Sequence, residues 1–143
     1  SNLSVAGIDA GGIFVLEPEH WLGKPFPLTR EIAGGGPLLQ GDWVVILFHH
    51  DCSSCREAIP RYLQAARNPS PNVFRLALVE IPPRAAGDLI DLSGLPASGL
   101  TLSLKADREW FAQTPVVIRL KDGIVTAARA GEQAGDPLAV VGG

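Results

Sequence analysis

The chain has 143 residues with 46% hydrophobic and 19% charged side chains, a balance that supports one globular core and excludes a long disordered arm. Its formal net charge is -3, and no cluster of lysines and arginines offers a surface for nucleic acid or for an anionic membrane. No apolar run approaches the roughly 20 residues that cross a bilayer, and Ser1-Asn2-Leu3-Ser4 lacks the basic start of a secretory leader.

Residues 1–40 read as an N-terminal extension and 41–143 as the core of a single domain. In the extension, Ile13-Phe14-Val15-Leu16 is expected to form a short strand or hairpin, and Pro25, Pro27 and Gly34-Gly35-Gly36 punctuate the rest of the segment. Trp43-Val44-Val45-Ile46-Leu47-Phe48 is six apolar residues in a row, the pattern of a central strand buried on both faces. After His49-His50-Asp51-Cys52, apolar positions at Cys55, Ala58, Ile59, Tyr62, Leu63 and Ala66 predict an amphipathic helix from about Ser53 to Arg67. Pro60 lies inside that helix, where its missing N–H predicts a bend, and Asn68-Pro69-Ser70-Pro71 is expected to stop it.

A second buried strand is expected from Val73 to Ile81, followed by a long irregular or weakly helical connection rich in proline and glycine. Leu100, Leu102 and Leu104 alternate with polar residues, as in a half-buried strand, and Asp107 to Phe111 is expected to supply one helical turn. Val116 to Leu120 and Ile124 to Ala128 flank Lys121-Asp122-Gly123, a strong hairpin signal. Asp136-Pro137 then opens a short last helix. Trp21, Trp43 and Trp110 sit in apolar or turn contexts and read as core or rim aromatics.

The chain contains two cysteines, too close together to staple distant parts of a fold, so Cys52-Ser53-Ser54-Cys55 needs a local explanation. A strand–loop–helix setting puts Cys52 where free N–H groups and the helix dipole favour a thiolate. One helical turn brings Cys55 within reach to resolve a mixed disulfide formed at Cys52. Two rival readings stand beside this one: a metal centre completed by His20, His49 or His50, and a pair of inert buried thiols. Asp51 reads as the N-cap of the helix, although a carboxylate there also opposes thiolate formation.

The block from Gly41 to Pro60, with its cysteine pair and a proline five residues after the second cysteine, resembles the first βα unit of thioredoxin-like proteins. Gln113-Thr114-Pro115-Val116 is similar to the family's loop in which a cis-proline faces the active-site disulfide, and Gly131 resembles a glycine that comes after the hairpin. Leu22-Gly23-Lys24-Pro25-Phe26-Pro27-Leu28 and the long stretch between Pro60 and Pro115 resemble the TlpA/ResA-like branch. Departures are Asp51 in place of an aromatic, Ile46 in place of the buried acid of thioredoxins, and Glu57 outside the position of the branch's glutamate.

The resemblance implies a thioredoxin-like α/β fold, a mixed central sheet flanked by helices on both faces, with an N-terminal extension and a mid-domain insertion. It implies dithiol–disulfide exchange on protein thiol or disulfide substrates, with a redox partner protein and no cofactor. Cys52 would attack, Cys55 resolve, and Thr114 and Pro115 dock the substrate chain. An extracytoplasmic setting, with a membrane tether outside the given chain, is implied by the branch. The lack of methionine suggests a mature form or an excised domain, which keeps open a non-catalytic interaction domain within a larger protein.

Overall fold

A computed structural model describes residues 12–67 and 73–141. Two sheets form. The main one has five strands in the order β4-β3-β2-β6-β7, with β2 at Asp42–Phe48, β3 at Arg75–Glu80, β4 at Leu100–Ser103, β6 at Val116–Lys121 and β7 at Ile124–Ala130. The unbroken apolar run of β2 makes it central: it pairs in parallel with β3, Trp43 opposite Arg75, and antiparallel with β6, Val45 opposite Ile118. Helix α1, Ser53–Arg67, carries the chain from β2 to β3, and Pro60 lies within it. The expected stop at Asn68-Pro69-Ser70-Pro71 lies outside the described residues.

Alternation along each strand divides the core in two. Val44, Ile46, Phe48, Leu76, Leu78 and Val117 face α1 and the short helix α2 (Leu138–Val141), meeting Ala58, Ile59, Tyr62 and Val140. Val45, Leu47, Ala77, Val79, Ile118 and Leu120 face the other way, against Trp21, Leu28, Leu38 and Trp110. That second cover is built from 3-10 turns at Pro18–Trp21, Thr29–Glu31 and Gly36–Leu39, so both faces carry helical cover, but of different kinds.

The extension also pairs with the sheet's edge at β7 and meets the chain just past the end of β4. Gly23 and Phe26 donate to the carbonyls of Val125 and Gly123 beside β7, and the Lys105 N–H bonds the Glu31 carbonyl beyond β4. At the hairpin between β6 and β7, Asp122 (φ 49°) and Gly123 (φ 82°) both take the left-handed conformation of a tight two-residue turn.

One expected element differs. Asp107 to Phe111 forms no helical turn; Glu109–Phe111 is a strand, β5, paired in parallel with β1 (Ile13–Val15). Phe14 and Trp110 pack edge to face across this pair at 4.9 Å, burying two aromatics that a solvated turn would leave exposed. The strand expected in the extension is therefore real, but its partner lies almost a hundred residues away, so it is not one arm of a hairpin.

Candidate active site

Phe48 ends β2, and the chain turns through residues 49–52 into α1. The Cys52 carbonyl accepts the first intrahelical bond, from the Arg56 N–H at 3.0 Å, and the Cys52 Sγ accepts the Cys55 N–H at 3.1 Å. Cys52 is thus its own N-cap, with sulfur in the place that a serine or aspartate oxygen usually takes. This corrects the expectation for Asp51, which lies one residue too early to cap and is exposed. The Cys52 N–H reaches back to the His49 carbonyl at 3.4 Å.

The structure brings together four residues singled out in the sequence. Cys52 is half-buried and Cys55 fully buried, both as free thiols. Opposite them, the Thr114 hydroxyl donates to the Cys52 Sγ at 3.2 Å, and the Thr114 carbonyl lies 3.6 Å from the same sulfur, within reach of its S–H. The Thr114-Pro115 peptide is cis, and Pro115 is buried. Burial, followed by the hydrogen bond with Cys52, pushes the Cys55 thiol up to about 12. Cys55 is therefore a neutral thiol at any physiological pH.

Gly131 fixes the loop that presents Thr114. Its N–H points at two carbonyls, Gln113 at 3.1 Å and Pro115 at 3.0 Å, leaving the middle one, Thr114, turned toward the sulfur. Gly131 has φ +66°, a left-handed conformation that favours glycine, whereas the atom a Cβ would meet at 2.9 Å is the side-chain nitrogen of the exposed Gln113, which can swing away. Beside the cysteine pair runs an open groove of about 840 Å³ lined by Ser54, Gln113, Thr114, Arg129 and Glu132 among others.

The positions that depart from the family pattern are also placed. Ile46 is fully buried in the core beneath α1, and Glu57 is exposed on the helix surface. His20 is exposed on the 3-10 turn Pro18–Trp21, and no group of three or more His, Cys, Asp or Glu gathers among the described residues. His50 does not approach the thiols as a ligand: its Nδ1 accepts the Ile90 N–H at 2.9 Å, and its Nε2 lies 3.8 Å from Glu80.

Sequence reasoning missed Glu80. Buried at the end of β3, it accepts two bonds from Arg84, at 3.0 and 2.7 Å. A signal was present, since Glu80 follows the apolar run Leu76-Ala77-Leu78-Val79 and Arg84, a counter-charge, stands four residues later.

Neither the protein-family models nor the curated proteins include a match to this chain. Among solved structures, the chain is similar to the solution structure of a thiol:disulfide interchange protein from Bacteroides sp., at 15% identity over 75% of this chain and 77% of that one, with a TM-score of 0.42. The assignment of fold comes from the chain itself: the parallel β2-α1-β3 unit, the β6-β7 hairpin beside it and the Thr114-Pro115 loop facing Cys52 make this a thioredoxin-like fold.

Proposed function

We propose that the chain is a thiol–disulfide oxidoreductase acting on protein substrates through Cys52 and Cys55. The observation that carries this reading is the pairing of a half-buried sulfur, held at a helix N-terminus by the Cys55 N–H and the Thr114 hydroxyl, with a fully buried thiol one turn below it. Both hydrogen bonds into Cys52 Sγ survive loss of its proton, and only the weak S–H contact to the Thr114 carbonyl is given up.

In the reducing direction, the Cys52 thiolate attacks one sulfur of a substrate disulfide. A mixed disulfide forms and the other substrate sulfur leaves as a thiolate that takes up a proton. Cys55 then loses its proton and attacks Cys52 Sγ. The mixed disulfide breaks, the second substrate sulfur departs as a thiolate that takes up the proton Cys55 gave, and two electrons have passed from the cysteine pair to the substrate, the first substrate thiol having drawn its proton from the solvent that received the one Cys52 lost. Oxidation of a substrate dithiol is the same sequence reversed. Once Cys52 Sγ is bonded to sulfur it carries no hydrogen, so the Thr114 carbonyl becomes free to accept an N–H from the substrate chain. Thr114 and Pro115 dock the substrate in this reading.

Membership of the TlpA/ResA-like branch, and with it an extracytoplasmic setting, a redox partner protein and a tether outside this chain, is part of the same proposal. It is supported by the lead-in Gly23 to Leu28, which lies against β7, and by the extra strand β4 within the long stretch between Pro60 and Pro115. Turbidimetric reduction of insulin tests the central claim. Wild type is expected to accelerate it and Cys52→Ser to abolish the acceleration; full activity in Cys52→Ser overturns the proposal.

A further inference from the structure

The connection between β3 and β4 has no regular structure over residues 82–99, yet it is tied to the cysteine-bearing unit at two points that bracket the motif. Two residues before Cys52, the His50 Nδ1 accepts the Ile90 N–H at 2.9 Å; one residue after Cys55, the Arg56 guanidinium donates to the Asp88 carbonyl. His50 is 5% exposed and Ile90 7%, so the first tie is shielded from water, which could otherwise replace the imidazole as acceptor. Within the turn 49–52, only His50 has a buried side chain. It anchors the turn whose carbonyl at His49 holds the Cys52 N–H.

An imidazole nitrogen accepts a hydrogen bond only when it carries no proton, so this contact specifies the neutral ring with its proton on Nε2, the atom facing Glu80. The charged groups around the ring come from every neighbouring element: Glu80 from the end of β3, Arg84 from the connection, Arg56 from α1 and Asp51 from the turn. Phe48 stands edge-on to the ring at 5.0 Å. Glu80, the group best placed to stabilise an imidazolium, is already held by two hydrogen bonds from Arg84. Burial lowers His50 below the ordinary histidine value of 6.5, outweighing the opposite pull of Glu80.

We propose that neutral His50 is a positioning residue that clasps the connection at Ile90 to the cysteine-bearing turn, and that its protonation opens the clasp and slows exchange at Cys52. Adding a proton to Nδ1 sets two N–H groups against each other, so the Ile90 tie breaks and the turn loses its buried anchor. The sulfur then no longer sits squarely between the Cys55 N–H and the Thr114 hydroxyl. The effect on exchange rests on the oxidoreductase reading; the clasp itself does not.

Two measurements separate the clasp from its effect on exchange. In wild-type protein, heteronuclear NMR tracks the His50 ring nitrogens and the Ile90 amide from roughly pH 8 to roughly pH 4.5. Nδ1 is expected to be unprotonated at neutral pH, with the Ile90 amide shifting at the same midpoint as His50, below 6.5. A protonated Nδ1 at neutral pH, or an Ile90 amide that ignores the His50 transition, overturns the clasp. Stopped-flow reaction of reduced protein with a small aromatic disulfide then compares wild type with His50→Asn, whose amide oxygen accepts the same N–H and does not titrate. The wild-type rate relative to the variant is expected near unity at neutral pH and lower by about fivefold below the His50 midpoint, the value of one hydrogen bond. A flat ratio overturns the link to Cys52. Absence of exchange at every pH counts against the oxidoreductase reading instead, and the wild-type titration still decides the clasp.

Discussion

Cys52 Sγ draws its two donors from different elements, the Cys55 backbone N–H from α1 and the Thr114 hydroxyl from the loop before β6, so the hydroxyl can be removed while the backbone donor stays. Thr114→Val replaces the hydroxyl with a methyl of nearly the same shape. It is expected to slow exchange about fivefold, matching the loss of about 1 kcal/mol of hydrogen bonding, while thermal unfolding stays close to wild type. Stopped-flow kinetics and a melting curve check the two halves. Cys55 makes a different prediction, since its folded thiol stands at about 12 against an ordinary 9.0. The folded state holds this proton more tightly than the unfolded chain, so the contribution to stability is complete below about pH 9 and is lost as pH rises toward 12. Stability of the reduced protein to denaturant should fall over that range, and Cys55→Ala should reduce the slope without abolishing it, because burial also raises Tyr62 and makes it contribute in the same direction at the alkaline end. At pH 8, iodoacetamide should add once to the native protein, at Cys52, and a second time only after unfolding, as read by mass spectrometry.

At the scale of elements, the hairpin joining β6 to β7 combines stability with distance from the chemistry. Asp122 donates its N–H to the Gly41 carbonyl and accepts the Gly41 N–H on its carboxylate at 2.8 Å, which ties the turn to the start of β2, at the end of that strand away from Cys52. Gly123→Ala is expected to cost about 1–2 kcal/mol, the strain of an L side chain at φ 82°, with exchange kinetics unchanged. Equilibrium unfolding together with the insulin assay tests both parts. This hairpin, β2 and α1 were legible in the sequence because each is fixed by local signals: Asp-Gly between β-rich runs, six consecutive apolar residues, and 3.6-residue spacing. Helix α1 has the bounds that its spacing predicts, Ser53 to Arg67. Strand β5 was not legible, because Glu109–Phe111 is too short to show a period and is held in place by β1 and by Phe14, distant in sequence. The cap at Cys52 was missed for a related reason: aspartate is the better cap by propensity, but the helix begins where the loop from β2 delivers it, one residue later. His50, Glu80 and Arg84 meet only because β2 and β3 end side by side, Phe48 opposite Glu80, a register that no local pattern carries.

For the whole molecule, the sheet is covered on one side by α1 and α2 and on the other by the described part of the extension, so the division into an extension of 1–40 and a core of 41–143 understates what the first segment does. Trp21, Leu28 and Leu38 are fully buried against Val45, Leu47 and Ile118, and the same segment pairs with the sheet edge at β7. Trp21→Ala is expected to cost about 3–5 kcal/mol, the usual loss for a large buried aromatic. A chain beginning at Gly41 goes further: it bares one face of a five-stranded sheet along with the edge of β7, and an apolar face with an open edge favours association over folding. Such a truncation is expected to lose its near-ultraviolet circular dichroism, to bind a hydrophobic dye and to aggregate, even though Cys52, Cys55, Thr114 and Pro115 are all retained. The residues proposed to carry the exchange lie in the core segment, but the face opposite α1 is closed by the extension, so exchange activity should disappear together with cooperative unfolding. If the truncated chain instead melts cooperatively and still reduces insulin, the extension is an accessory layer and the half of the core beneath α1 folds without it.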